Sequence, residues 1–189
     1  MTRTDEVAVP AAYREVQRFR QVWLWMLLLA VAGIAWWVAV QQTLFGTPVG
    51  TNPAPDWMAA LIALVFGAAF PLFFALLALE LEVRGDGLYY RFFPLHIGYR
   101  RIGWEEVAAY APVSYHPLRS YGGRGIRWGA GGKAYSVSGN AGVRFCLADG
   151  RKILFGSADP AGLAGAVRMA SGMRADPSGA CDGAHRSPD

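Results

Sequence analysis

The sequence predicts an α-helical transmembrane hairpin of two spans followed by a mainly-β domain, about seven antiparallel strands capped by a C-terminal helix. Three observations carry this prediction. Two long apolar runs, Val22 to Gln41 and Trp57 to Leu79, contain no Asp, Glu, Lys, Arg or His. From Leu79 onward, apolar and charged residues alternate with the two-residue period of a half-buried strand. Near the end, Asp159-Pro160 opens a segment in which Leu163, Ala166, Val167 and Ala170 share one helical face.

Each run reaches the ~20 residues that a helix needs to cross a hydrocarbon core about 30 Å thick. Within lipid a single segment satisfies its own backbone hydrogen bonds only as a helix, which favours helix over buried strand. Trp23 and Trp25 stand at one end of the first run and Trp57 opens the second, the expected depth of interfacial anchors; Trp36 and Trp37 approach the far end of the first. Pro71 removes a backbone donor and predicts a kink near Gly67 to Pro71. Ala59, Ala63 and Gly67 form either a small-residue stripe along which the first helix approaches or simply a run of residues common in membrane helices. Two spans without ionisable groups favour an anchor over a transporter.

The chain has 189 residues and a formal charge of +4, and the distribution of that charge says more than its size. Arg14, Arg18 and Arg20 precede the first run, Arg84, Arg91, Arg100 and Arg101 follow the second, and the connecting loop offers only Asp56. The positive-inside rule places both termini in the cytoplasm. Arg18 and Arg20 join the three tryptophans as expected membrane-interface anchors. The first run exceeds the length of a signal-peptide core and is read as retained. The expected organisation is residues 1–21 as a cytoplasmic segment, 22–41 and 57–79 as spans, 42–56 as an extracytoplasmic loop, 80–173 as the β domain and 174–189 as a disordered tail. Two cysteines, Cys146 and Cys181, suit free thiols on the reducing side.

Tyr13 to Arg20 reads as a polar, helix-compatible lead into the membrane. Leu79 to Arg84 and Leu88 to Phe92 form a hairpin through Gly85-Asp86-Gly87. Phe92 to Ile97, followed by Arg100 and Arg101, is apolar and then basic, a pattern that suits either domain core or the lipid interface. Trp104 to Val113 reads as a further strand. The stretch Arg119 to Lys133 is rich in glycine, arginine and aromatics; its Arg119, Tyr121, Arg124, Arg127, Trp128 and Lys133 are the candidate contacts for a partner or lipid. The alternative is that its aromatics fill a barrel and its arginines form a solvated rim. Ala134 to Ser138, Val143 to Leu147 and Lys152 to Phe155 complete the strands, with a turn at Asp149-Gly150.

Several chemistries find no support. A phosphate loop fails because Arg127 stands where its first glycine belongs and Ala134 follows Lys133. Gly129, Gly131 and Ala134 match a loosened dinucleotide fingerprint, but a strand-like segment follows where a helix is needed. His96, His116 and His185 show no ligand spacing, so no metal or other cofactor is expected. Adjacent Glu105 and Glu106 point to opposite faces of a strand, and Ser136 and Ser138 lack a nucleophile elbow, so no catalytic residues are assigned. Few basic residues on a membrane-tethered domain argue against nucleic acid.

The order of strands and terminal helix, together with Tyr121-Gly-Gly-Arg-Gly-Ile-Arg127, Ala134 to Val143, Asp149-Gly150 and Phe155-Gly-Ser157, resembles the uncharacterised bacterial membrane proteins with a pleckstrin-homology (PH)-like domain. The Glu15-x-Gln17-x-Phe19-Arg20 lead-in and the two spans resemble the same family. The resemblance implies a multi-pass protein of the bacterial inner membrane with a cytoplasmic PH-like domain and no settled activity. The loop that binds inositol lipids in many PH domains corresponds here to Gly85-Asp86-Gly87, beside a single Arg84. The expected function is non-enzymatic association with a protein partner or a second copy; the alternatives are anionic-lipid sensing by the basic glycine-rich stretch and, remotely, an enzyme.

Overall fold

The computed structural model describes residues 11–50, 52–116, 123, 125–129 and 132–176. The chain divides into two units, Arg18–Leu77 and the remainder.

The first unit is the hairpin. Helix α1 (Val22–Thr43) pairs with a second helix running Asp56–Leu76, and both are long and apolar enough to cross a membrane. The second is built in three pieces: α2 (Asp56–Leu64), a π-helical turn (Val65–Ala69) and α3 (Phe70–Leu76). The π turn falls where the sequence predicts a kink. Pro71 has no N–H to give, and its ring crowds the carbonyl four residues back, so the backbone widens just ahead of it. On α1 the buried residues Leu28, Ala32, Ala35, Ala39 and Gln42 follow a period near 3.5 and face Ala59 and Ala63, the small stripe that permits close approach. The Trp36 ring occupies the space where a side chain at Gly67 would go. At the loop end, the Gln42 amide donates to Asp56 (2.9 Å) and to the Ala54 carbonyl.

The second unit holds two sheets. The first has the order β1-β2-β3-β4: β1 (Tyr13–Arg18), β2 (Ala78–Arg84), β3 (Gly87–Phe93) and β4 (Arg100–Gly103). The second has the order β5-β8-β9-β7-β6: β5 (Val107–Ser114), β6 (Gly125–Gly129), β7 (Gly132–Ser136), β8 (Ala141–Leu147) and β9 (Lys152–Gly156). Helix α4 (Pro160–Ser171) packs on β2 and β3 of one sheet and on β5 and β8 of the other. Its N-cap, Asp159, accepts the Gly162 N–H at 2.8 Å, and Leu163, Ala166 and Val167 are buried as the periodicity predicts.

An aromatic file joins the sheets. Tyr90 of β3 lies 4.9 Å from Phe155 of β9, Tyr135 of β7 stacks on Phe155 at 5.4 Å, and Phe145 of β8 meets both Phe155 and Tyr110 of β5. Around it Leu79, Leu81, Val83 and Leu88 are fully buried, the inward set that the alternation of β2 and its hairpin predicts.

Four expectations are corrected. Tyr13–Arg18 is a strand beside β2, not a helical lead-in: Ala12 N–H donates to the Val83 carbonyl, and the neighbouring edge of β2 supplies the pairing that the isolated segment lacks. Nine strands are described rather than about seven, and they are not all antiparallel. β7 and β9 run parallel because β8 pairs with β5 and β9, which leaves the β6–β7 hairpin to add on the far side of β9. Trp104–Glu106 is a 3-10 turn in which the Glu106 carboxylate accepts the Gly103 N–H, so Glu105 and Glu106 do not occupy a strand. Cys146 is disulfide-bonded rather than a free thiol, an outcome that an argument from redox environment alone does not reach. Cys181, like 177–189 of the expected tail, lies outside the described residues. Asp176, within that expected tail, donates its N–H to the Tyr110 carbonyl of β5 at 2.9 Å.

Candidate functional site

Within the glycine-rich stretch, 125–129 form β6, and Gly132 and Lys133 begin β7. Arg119, Tyr121 and Arg124 lie outside the described residues, and the other three candidates sit on the hairpin. Successive residues of a strand point to opposite faces. Arg127, opposite Ala134, therefore lies on one face, and Trp128, opposite Lys133, lies on the other. Trp128 is 76% exposed and does not fill the core. The Lys133 ammonium stands 5.1 Å from the Trp128 ring and 4.9 Å from the Tyr135 ring, so one cation lies over two aromatic faces.

The β3–β4 loop reaches the same place. His96 packs edge-on against Tyr135 at 6.1 Å, and its pKa is lowered by burial first and then by the positive charges of Arg100 and Lys133. Tyr135 in turn is pushed up by burial, with Arg100 acting in the opposite sense. The structure thus brings together two segments, Leu95 to Arg100 and Trp128 to Tyr135, that are far apart in sequence.

The expected membrane anchors lie at the hairpin. Arg18, Arg20, Trp23 and Trp57 are exposed, and Trp25 is half-buried with its indole N–H on the Phe19 carbonyl at 2.8 Å. Between the helices an apolar cleft of about 490 Å³ is lined by residues including Ile34, Val38, Ile62 and Phe66.

Two clusters escaped the sequence reading. The first is a charge network on the outer face of β2. Glu80 and Glu82 are only 8% and 6% exposed. Arg91, directly opposite Glu80, binds it at 2.9 Å; Arg84 binds Glu82 at 2.7 Å; Arg14 of β1 lies 3.4 Å from each. The Tyr99 hydroxyl stands 2.6 Å from Glu80 and 3.0 Å from Glu82, and its single proton goes to the nearer. Burial alone pulls both carboxyls upward, but the bonds from Arg91 or Arg84 and from Tyr99, with the added charge of Arg14, hold both below the ordinary value. The Tyr99 phenol is pushed up by burial and by the two carboxylates.

The second cluster is a clasp. Glu15 of β1 accepts from the Tyr13 hydroxyl (2.9 Å), the Ser157 hydroxyl (2.6 Å) and the Ala158 N–H (2.7 Å). Two residues on, Gln17 donates to the Gly156 carbonyl at 2.6 Å. The Tyr13 phenol is pushed up to about 12, by burial first and then by Glu15. The Glu15-x-Gln17 and Phe155-Gly-Ser157 segments therefore meet, tying β1 to the junction of β9 and α4. Their appearance as two separate motifs was the available signal.

A family model spans residues 4–173, from β1 through α4. The chain belongs to the DUF6141 family, a family of unknown function. No curated protein and no solved structure matches it. In this DUF6141 chain the matched region takes in the clasp, the hairpin and both sheets, so β1 falls within the family region along with the β domain it completes.

Proposed function

We propose that this chain is a non-enzymatic, membrane-anchored module, in which a two-span hairpin in the bacterial cell membrane holds a PH-like domain at the cytoplasmic face for association with a protein partner. Two sheets with a C-terminal helix packed against strands of both support the PH-like reading. That both outer ends of the hairpin lie on one and the same side has support beyond arginine counting. β1 and β2 flank the hairpin in sequence and are neighbours in one sheet, so both outer ends of the hairpin lead into the same domain. The chemistry of the charge network also favours binding over catalysis, because Glu80 and Glu82 stay ionised and are held by four neighbouring donors.

The observation that carries the partner reading is β6. Among the described residues it is the outer strand of its sheet, bonded to β7 on one side, with Arg127 and Trp128 both exposed. An outer strand offers a row of backbone donors and acceptors to an added strand, and aromatic and arginine side chains beside it supply anchors. A photo-crosslinking residue placed at position 127 of the full chain in native membranes tests this. Adducts concentrated on one extended protein segment are expected. Adducts to phospholipid alone, or scattered over unrelated proteins, overturn the reading, and adducts to position 127 of another copy identify the partner as the chain itself.

A further inference from the structure

We propose that the β3–β4 loop and the neighbouring end of the β6–β7 hairpin form one contact surface for an anionic lipid bilayer. This rests on the membrane-anchored reading above, and it uses the face of the hairpin opposite Arg127.

The surface is built from two kinds of residue. Ile97 is 85% exposed, Trp128 76% and Leu95 56%; these three carry most of the large apolar exposure in the described part of the β domain. Beside them stand Arg100 and Lys133. Of the other arginines on the first sheet, Arg14 and Arg91 pair with Glu80, Arg84 with Glu82, and Arg101 with Asp86 and Glu105. Arg100 and Lys133 form no ion pair among the described residues; their recorded neighbours are aromatic rings and His96. The two halves meet at the Tyr135 ring, which packs edge-on with His96 and carries the Lys133 ammonium over it.

Exposed Trp, Leu and Ile beside uncompensated cations are the pairing that an anionic interface rewards. The apolar tips enter the boundary between headgroups and acyl chains, and the cations meet the headgroup phosphates. An acidic protein segment would satisfy the cations but leave Ile97 and Leu95 in water. The bilayer also has the advantage of tethering: α3 ends at Leu76 and β2 begins at Ala78, so the domain is joined to the proposed second span by a single residue of chain.

Hydrogen exchange of the full chain in nanodiscs provides the test, with neutral phosphatidylcholine discs compared with discs containing phosphatidylglycerol, one copy per disc. Peptides covering residues 93–101 and 125–136 are expected to exchange several-fold more slowly in the anionic discs. That protection should vanish at high salt and in the Arg100→Gln, Lys133→Gln double variant, and weaken in Ile97→Ser, Trp128→Ser. Equal exchange in the two lipids, or protection indifferent to the charge variant, overturns the proposal, as does protection confined to discs holding two copies. The spans serve as the internal reference: slow exchange there with no protection of the two segments sinks only this inference, whereas fast exchange in the spans sinks the anchored reading as well.

Discussion

At the residue scale, Glu80 and Glu82 show how far a strand's outer face can depart from solvent. Their alternation with Leu79, Leu81 and Val83 marks them as outward-facing, and they do point away from the core. What the sequence does not disclose is their cover: Arg14 arrives from β1 and Tyr99 from the β3–β4 loop. Both carboxyls titrate lower in the folded chain than in the unfolded one. The network therefore stabilises fully above the ordinary carboxylate value of 4.5 and loses its contribution as pH falls through the depressed folded values. Glu80→Gln should cost about 2 kcal/mol near neutral pH, the scale of hydrogen bonds to a charged group. Urea unfolding over a pH series checks this, and the gap between wild type and variant should narrow below about pH 4. A gap that stays constant with pH would mean that Glu80 acts through packing instead.

At the element scale, the segments whose signals are local were the legible ones. The two long apolar helices follow from composition alone, the turn beside Pro71 from a missing donor, and α4 from its Asp159 cap and the spacing of Leu163, Ala166 and Val167. The elements that were misread depend on partners distant in sequence. Tyr13–Arg18 is too short and too charged to declare itself a strand without β2, and the β7–β9 pairing depends on β8 having gone to β5. Gly132 marks that pairing: its φ is +93° and a side chain there would meet the Lys152 carbonyl of β9. Gly132→Ala should therefore destabilise the domain by about 1–3 kcal/mol, the usual range for an overpacked site, with the loss read from thermal or urea unfolding. An unchanged midpoint would show that the β6–β7 hairpin docks more loosely on β9 than this geometry requires. The candidate site was half legible for the same reason: the glycine-rich stretch stood out by composition, whereas its meeting with Leu95 to Arg100 is a tertiary fact.

At the scale of the whole molecule, the hairpin is an insertion between two adjacent strands of one sheet. A reading that starts the domain at residue 80 leaves out an edge strand, and with it the Arg14 contacts to Glu80 and Glu82 and the Glu15 and Gln17 contacts to 156–158. Removing β1 would expose the β2 edge, a template for aggregation, and leave polar groups at the start of α4 without their partners. Two soluble forms separate this from a passive lead-in. One begins at Ala78. The other keeps residues 11–20 and replaces the hairpin with a flexible glycine-serine linker, which suffices because β1 and β2 are neighbours and need only a loop to join them. The linked form is expected to unfold several degrees higher and to remain monomeric where the shorter form associates. Within the linked form, Glu15→Ala should remove most of that advantage, since Glu15 holds three donors at once. If both forms unfold together, β1 is dispensable to the domain and the clasp is not what joins it to the β9–α4 junction.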